Sequence, residues 1–428
     1  MGKKVLKLIL TALFILPITL ILLVVATILR LLEAIAPSPP REKDHSPPRE
    51  IVFVTYAPFR GLFDRHLQIA TKLSRTHPVL YCDLISISTL ILSPGLIREL
   101  GFARVAPRLF RFAALILPLD GRFAPFTFIN RFILTSYLKA AIRRAGFSHF
   151  ALFLWEPNRE YLVGRLGESL VIYDIIDEYS EFLGSARKIL SAEERLFPKT
   201  DLIITGTYSL FLSRREKHKN IHFIPCGVDY ELFSSSPSFT PEELTTLPHP
   251  VIGYYGMLDA RLDIDLLRFL GEKHPDWSFV LIGPLGTDLS ALMNLRNFHL
   301  LGKRSYRSLP SYIALFDVVI IPYRLNRYTE HINPNKMLEI LAAGKPVVTT
   351  DLPDIKRFYS DIAFVSQDYR QFADNIKRAL WDKKEVEERI VRGKKMAREN
   401  SWDEVAEKIK ELVKNTYLDK IGSKSRGK

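Results

Sequence analysis

A chain of 428 residues is too long for one ordinary domain, and its apolar fraction of 47% can fill two cores, each of about 150–200 residues. Lys and Arg number 60 against 47 Asp and Glu, and this surplus of 13 favours anionic partners such as phosphates or an acidic membrane surface. Cys82 and Cys226 are the only cysteines, which excludes a disulfide framework and a cysteine-rich zinc site and suits a reducing compartment.

The first element reads as a membrane anchor over residues 1–36. Leu8 to Leu29 carries no charge over 22 residues. At about 1.5 Å per residue, a helix of that length spans a ~30 Å hydrocarbon core. A cleaved signal peptide competes with this reading, since Ala34-Ile35-Ala36 resembles a cleavage site. Against it stand Pro37 directly after that site and an apolar run longer than a signal core. Lys3, Lys4 and Lys7 precede the run and Arg30, Arg41, Lys43 and Arg49 follow it, so charge bias leaves the orientation open. Residues 37–50 are proline-rich and charged and read as a semi-stiff tether.

A domain over 51–235 follows. Ile51–Thr55 is an apolar strand, Asp64 can cap a helix carrying Leu67, Ala70 and Leu73, and Pro78–Cys82 is the next strand. Strand, helix and strand in so short a space predict a parallel sheet. Residues 98–144 set nine Lys or Arg against Glu99 and Asp120, with seven phenylalanines interleaved. With an anchor upstream, an anionic bilayer surface is favoured there over nucleic acid, for which no recognised module is present. An ordinary helical layer with a solvated basic face is the other reading. Further strands are expected at Phe150–Trp155, Val171–Ile176, Leu202–Thr205 and His222–Pro225, with a helix at Ala186–Leu196.

Residues 236–250, rich in Ser, Pro and Thr, read as a linker. A second α/β domain is expected over 251–395, with strands beginning near Val251, Ser278, Phe298, Asp317, Pro346 and Ile362. Residues 396–428 complete a long helical stretch, broken near Asn400-Ser401-Trp402, and a basic tail. Two doubly wound α/β domains predict ligand binding beyond the carboxyl ends of their strands, in a cleft between the domains.

Three stretches could carry chemistry. Tyr173 to Phe182 places Asp174, Asp177, Glu178 and Glu181 near a strand's carboxyl end, and crowding raises the pKa of such acids toward general-base use. Asp174 lies within the strand and could be structural, so Asp177 is the better candidate. Gly256 follows a strand and Arg261 comes soon after, a pairing suited to a phosphate, although no dinucleotide fingerprint is present. Asp263 is read as a helix cap and not as a metal ligand. The third stretch, Asn333 to Asp351, reads as a helix, a left-handed stop at Gly344 and a buried strand. Its oddity is Glu339, an acid in an apolar turn, three residues after Lys336. His66 and His331 are the histidines to watch, each with a structural reading beside the functional one. No GxSxG, HExxH, Walker A or CxxC pattern occurs.

Taken together, residues 51 to about 412 resemble the GT-B-fold glycosyltransferases, in particular the family 4-like (group 1) branch similar to bacterial teichuronic-acid and capsule glycosyltransferases. The resemblance rests on Val171–Phe182, Asp201–Thr207, Ile224–Phe233, Ile252–Arg261 with Asp263, Phe279–Pro284, Leu309–Pro322, and Lys336, Glu339 and Ala342–Val347. It implies two Rossmann-like domains and a nucleotide-sugar co-substrate, UDP- or GDP-linked, held by the second domain without a metal or other cofactor. It implies that Glu339 binds the donor ribose. Lys336, Arg261 and helix-start N–H groups near Asn335 would hold the diphosphate, and Gly256 would let backbone approach it. Lys303 would flank the base, and Asp177 would lie near the anomeric carbon. Where the family has a second glutamate, this chain has His331 with Glu330 beside it, so either could face the sugar, and retention or inversion stays open. The expected function is transfer of a sugar to a lipid-linked or cell-surface polysaccharide acceptor, with the catalytic domains in the cytoplasm. A GT-B-fold sugar-nucleotide epimerase and a non-catalytic membrane scaffold are the alternatives.

Overall fold

The computed structural model describes residues 46–56, 59, 65–118, 124–176, 178, 186–327 and 329–426. The expected anchor, most of the tether and Asp177 lie outside these residues. Among the described residues, no helix is long and apolar enough to cross a membrane. The chain falls into two compact units, one of residues up to 174, 182–203 and 409–428, the other of 175–181 and 204–408.

The first sheet has eight strands: β1 (Glu50–Thr55), β2 (Val79–Ser86), β3 (Gly101–Ala106), β4 (Leu109–Ile116), β5 (Phe150–Leu154), β6 (Leu170–Ile175), β7 (Leu202–Thr205) and β8 (Ile221–Phe223). Their order is β3-β4-β2-β1-β5-β6-β7-β8. β1 pairs in parallel with β2 and β5, and its apolar run Ile51–Val54 is buried throughout, as expected of a strand covered on both faces. With the edge strand β3 set aside, the order counted from β1 begins 3-2-1-4, so its topological switch lies between β1 and β5.

Residues 98–144 are not the uniform helical layer that was one reading of them. β3 and β4 form an antiparallel pair, and only then comes the helix Ala124–Arg144. Arg111 disguised β4, because it is a cation on the buried side of the strand. It is accommodated by the Asp83 carboxylate at 2.6 Å and by Glu99 at 2.8 Å. A buried guanidinium with good partners is tolerated where a lone one is not.

The second sheet comprises β9 (Val251–Tyr255), β10 (Ser278–Ile282), β11 (Phe298–Gly302), β12 (Val318–Ile321), β13 (Val347–Thr350) and β14 (Phe364–Ser366), in the order β11-β10-β9-β12-β13-β14. Counted from β9 this is 3-2-1-4-5-6, the doubly wound arrangement, and its switch lies between β9 and β12. Among the described residues its strand pairs are all parallel. The segment read as a linker contains the short helix Glu242–Thr245, with Leu244 buried. The expected helical break falls between Lys383–Glu399 and Trp402–Arg426. There the backbone leaves the helix to exchange hydrogen bonds with Val228, whose N–H donates to Asn400 and whose carbonyl accepts from Trp402.

Candidate active site

The strands β9 and β12 end beside each other, and the residues just beyond them converge. Tyr254 and Tyr255 close β9, and Tyr323 follows β12. The helix Lys336–Ala342 comes next. Its residues Met337, Leu338, Ile340, Leu341 and Ala342 are buried in the core of the second unit. Lys336 and Glu339, three apart, therefore share the face that the core leaves over. The helix ends as the sequence predicts. Gly344 takes φ +66°, its N–H bonds Leu341 O, and the Lys345 N–H reaches back to Ile340 O. That pair of bonds is the Schellman arrangement.

The Lys336 ammonium donates to Tyr323 Oη at 3.0 Å and lies 4.0 Å from the centre of the Tyr254 ring. Burial lowers its pKa, and Tyr323 and Glu339 oppose the shift. Burial alone would raise the Tyr323 hydroxyl, but Lys336 and Arg261 outweigh it and hold it below its ordinary value. Gly256 stands directly opposite at φ +130°, and a Cβ there would come within 2.6 Å of Lys336 Nζ. A side chain at 256 and an ammonium in this place exclude each other.

Glu339 is held by phenol hydroxyls. Tyr255 Oη donates to its Oε2 at 3.0 Å, and Tyr306 donates as well. Burial raises its carboxyl to about 7, with both tyrosines and Lys336 pulling the other way. The guanidinium of Arg261 is oriented by a two-pronged bond to Asp259, at 2.9 and 2.8 Å, and lies 5.8 Å from the centre of the Tyr323 ring. Burial is outweighed there by Asp259, so Arg261 stays firmly charged. A partly buried ammonium, an oriented guanidinium, a carboxyl poised near neutrality and a glycine thus meet at the switch point. This set can bind phosphate oxygens through the cations and hydroxyls through the carboxyl.

Gly256, Arg261, Lys336 and Glu339 are therefore brought together. The Lys303, Glu330 and Asn335 side chains make no contact with this set among the described residues. Lys303 is exposed after β11, the outer strand, and its neighbour Arg304 is engaged by Tyr312 Oη at 2.7 Å and Glu243 at 3.1 Å. The segment instead reaches the site through Tyr306. Glu330 is exposed in the turn Thr329–His331, and the His331 side chain lies outside the described structure. Asn335 is exposed and makes no side-chain cap, and the Met337 N–H already bonds Pro334 O at 2.9 Å. The helix has seven residues, and Lys336 is its first.

On the acidic stretch, Asp174 is structural. It is fully buried, paired with Arg65 at 2.9 Å and bonded by Trp155 Nε1 at 3.0 Å. Glu178 is paired with Arg214 at 2.6 Å. Asp263 caps its helix through Leu266 N–H at 3.1 Å. His66 packs edge-on against Trp155, and burial lowers its pKa to about 3.

Sequence reasoning missed the tyrosines around Lys336 and Glu339, whose signal was aromatic residues directly at strand ends. It also missed Glu156, at the switch between β1 and β5. Glu156 Oε1 accepts from the Tyr56 N–H at 2.9 Å, while Oε2 is buried with no hydrogen-bond partner among the described residues. Burial raises this carboxyl to about 8, so it keeps its proton at neutral pH. An acid immediately after an apolar strand was the available cue.

Residues 250–382 match the family model for glycosyl transferases group 1. That segment holds the whole Lys336–Glu339 site. Among individual relatives it is 31% identical over 205 residues to TuaH of Bacillus subtilis strain 168, a protein named for glycosyl transfer in teichuronic acid biosynthesis. The alignment takes in 44% of this chain and 52% of that relative, so the chain spans about half the length of the curated protein it matches. Among solved structures, sucrose-phosphate synthase from Thermosynechococcus elongatus superposes with a TM-score of 0.67 at 15% identity, covering 87% of this chain and all of that one. HepE from Anabaena, in complex with UDP and glucose, gives 0.63 at 14% identity over 86% of this chain and all of its own. The fold is GT-B-like.

Proposed function

We propose that this chain is a glycosyltransferase that takes a sugar from a nucleoside diphosphate donor and passes it to a lipid-linked or cell-surface polysaccharide acceptor. The carrying observation is Lys336 and Glu339 on one face of a core-anchored helix, at the switch point and opposite Gly256 and Arg261. A departing nucleoside diphosphate gains negative charge. Lys336 and Arg261 neutralise it from a partly dehydrated site, where such contacts count most. Ionised Glu339 accepts the ribose hydroxyls while Tyr255 and Tyr306 fix its orientation. UDP is the favoured nucleotide over GDP, because neighbours of like fold hold UDP and UDP-glucose. The uncharged run Leu8 to Leu29 anchors the chain in the membrane, with the catalytic residues on the cytoplasmic side, where nucleotide sugars are made. Asp177 serves the acceptor side of the reaction.

The test is transfer itself. The purified full chain in neutral detergent is supplied with a lipid extract and a panel of radiolabelled UDP- and GDP-sugars. One donor is expected to label the lipid or glycan fraction. Asp177→Asn is expected to lower turnover by about 10²–10⁴-fold, the usual worth of a positioned general base, with nucleotide affinity unchanged. Turnover within a few-fold of the original removes Asp177 from the chemistry.

A further inference from the structure

The helix Ala124–Arg144 carries a stripe that the donor site does not use. Phe128, Arg131, Phe132, Thr135, Lys139 and Arg143 recur at spacings of three and four and so share one helical face. Together with Tyr161 and Arg165 they line a cavity of about 870 Å³ within the first unit. Four cations face this cavity, and no carboxylate lines it among the described residues. Glu160, close by, is taken up by Arg195 at 3.0 Å and, more loosely, by Arg131 at 3.8 Å, and Arg131 also lies over the Tyr161 ring. Lys139 is half-buried, and neither it nor Arg165 has an acidic partner among the described residues. A solvated basic face would leave its cations in water. Here a cation is partly withdrawn from water with no counter-charge, an arrangement that an incoming anion relieves. At the same face Phe128 is 74% exposed and Phe132 36%. Aromatic rings in water beside cations are the pattern of a helix that meets an anionic bilayer.

We propose that this cavity holds the phosphate-bearing headgroup of an anionic membrane lipid, with Phe128 and Phe132 turned toward the acyl boundary. Charge complementarity selects the phosphate. The exposed rings select an amphiphile over a free ion. The uncharged 22-residue run at Leu8 to Leu29 of the same chain supplies an independent reason for a bilayer to be at hand. The site lies apart from Lys336 and Glu339 in sequence and in unit, so it stands or falls separately from the donor reading.

The test uses the full chain in neutral detergent, so that the apolar run is shielded in every arm. Thermal unfolding is followed with dihexanoyl-phosphatidylglycerol, dihexanoyl-phosphatidylcholine or inorganic phosphate, each below the concentration at which the lipids form micelles. The phosphatidylglycerol is expected to raise the melting temperature saturably, and the phosphatidylcholine is not. Each cation near an anionic surface is worth about fivefold in affinity, so the triple variant Lys139→Gln/Arg143→Gln/Arg165→Gln is expected to lose ~100-fold. Phe128→Ser/Phe132→Ser is expected to weaken the lipid and leave phosphate unaffected. Unchanged ligand-free melting shows that the variants are folded, and UDP reports on the donor site separately. Equal stabilisation by both lipids, or by phosphate alone with no effect of the Phe variants, overturns the proposal, as does no stabilisation by any of the three.

Discussion

Glu339 is the residue on which the proposed donor site turns, and its surroundings make it a titrating group. Its carboxyl sits at about 7, above the ordinary 4.5, because burial penalises the charge more than two phenol hydroxyls and Lys336 reward it. For the empty protein the sign is fixed: the folded state binds more protons than the unfolded one, so this group's contribution to stability falls as pH rises from about 4.5 through 7. For nucleotide binding the sign is opposite, since only the ionised form accepts two ribose hydroxyls. UDP affinity is expected to weaken about tenfold between pH 8 and pH 6, following the ionised fraction of a group with that pKa. Glu339→Gln is expected to remove this dependence and leave only the titration of UDP itself. Calorimetry across that pH range checks it, and equal slopes for the two proteins would refute the assignment. Glu339 and Lys336 were legible in the sequence because a charged pair at helical spacing stands out in an apolar run. Tyr255, Tyr306 and Tyr323 were not, since a tyrosine at a strand end looks the same whether it fills a core or clamps a carboxylate. Glu156 was hidden for a related reason: only burial distinguishes a neutral buried acid from an exposed one.

At the scale of elements, the apolar strands, the Gly344 stop and the break before Trp402 could be read directly, because runs of Val and Ile, a helix followed by glycine, and an Asn-Ser pair each carry a local physical signal. β3 and β4 could not, since Arg111 and Arg104 gave the segment a surface composition. The partner that makes Arg111 tolerable, Asp83, is supplied by β2, a contact with no trace in local pattern. Asn335 is a different case. A residue before a helix looks like part of an anion site, yet this helix is short and its Met337 N–H is already used. The loop after β9 makes a firmer claim. Gly256 has a backbone angle that other residues adopt only with strain, and its missing side chain is the space Lys336 occupies. Gly256→Ala is expected to cost about 1–3 kcal/mol of stability and to weaken UDP binding by displacing the ammonium. Denaturant unfolding together with a UDP titration checks both, and a variant equal to the parent in each would show that the close approach is not required.

At the scale of the molecule, the sheets share one ordering rule, 3-2-1-4 counted from β1 and from β9, and each gathers ionisable side chains at its switch. The sequence announced this as a duplicated α/β pattern. It did not announce the antiparallel edge strand or the helix Glu242–Thr245, both of which break the regular alternation from which topology is read. The central claim for the whole chain is that it binds a nucleoside diphosphate at Lys336 and Glu339 and uses it as a glycosyl donor. Calorimetric titration of UDP into the full chain and into Glu339→Ala tests this most directly. The parent protein is expected to bind UDP. The variant is expected to bind about 10–100-fold more weakly, the worth of hydrogen bonds to a charged group. Equal affinity in the two proteins, or no binding of UDP or GDP to the parent, would contradict the account.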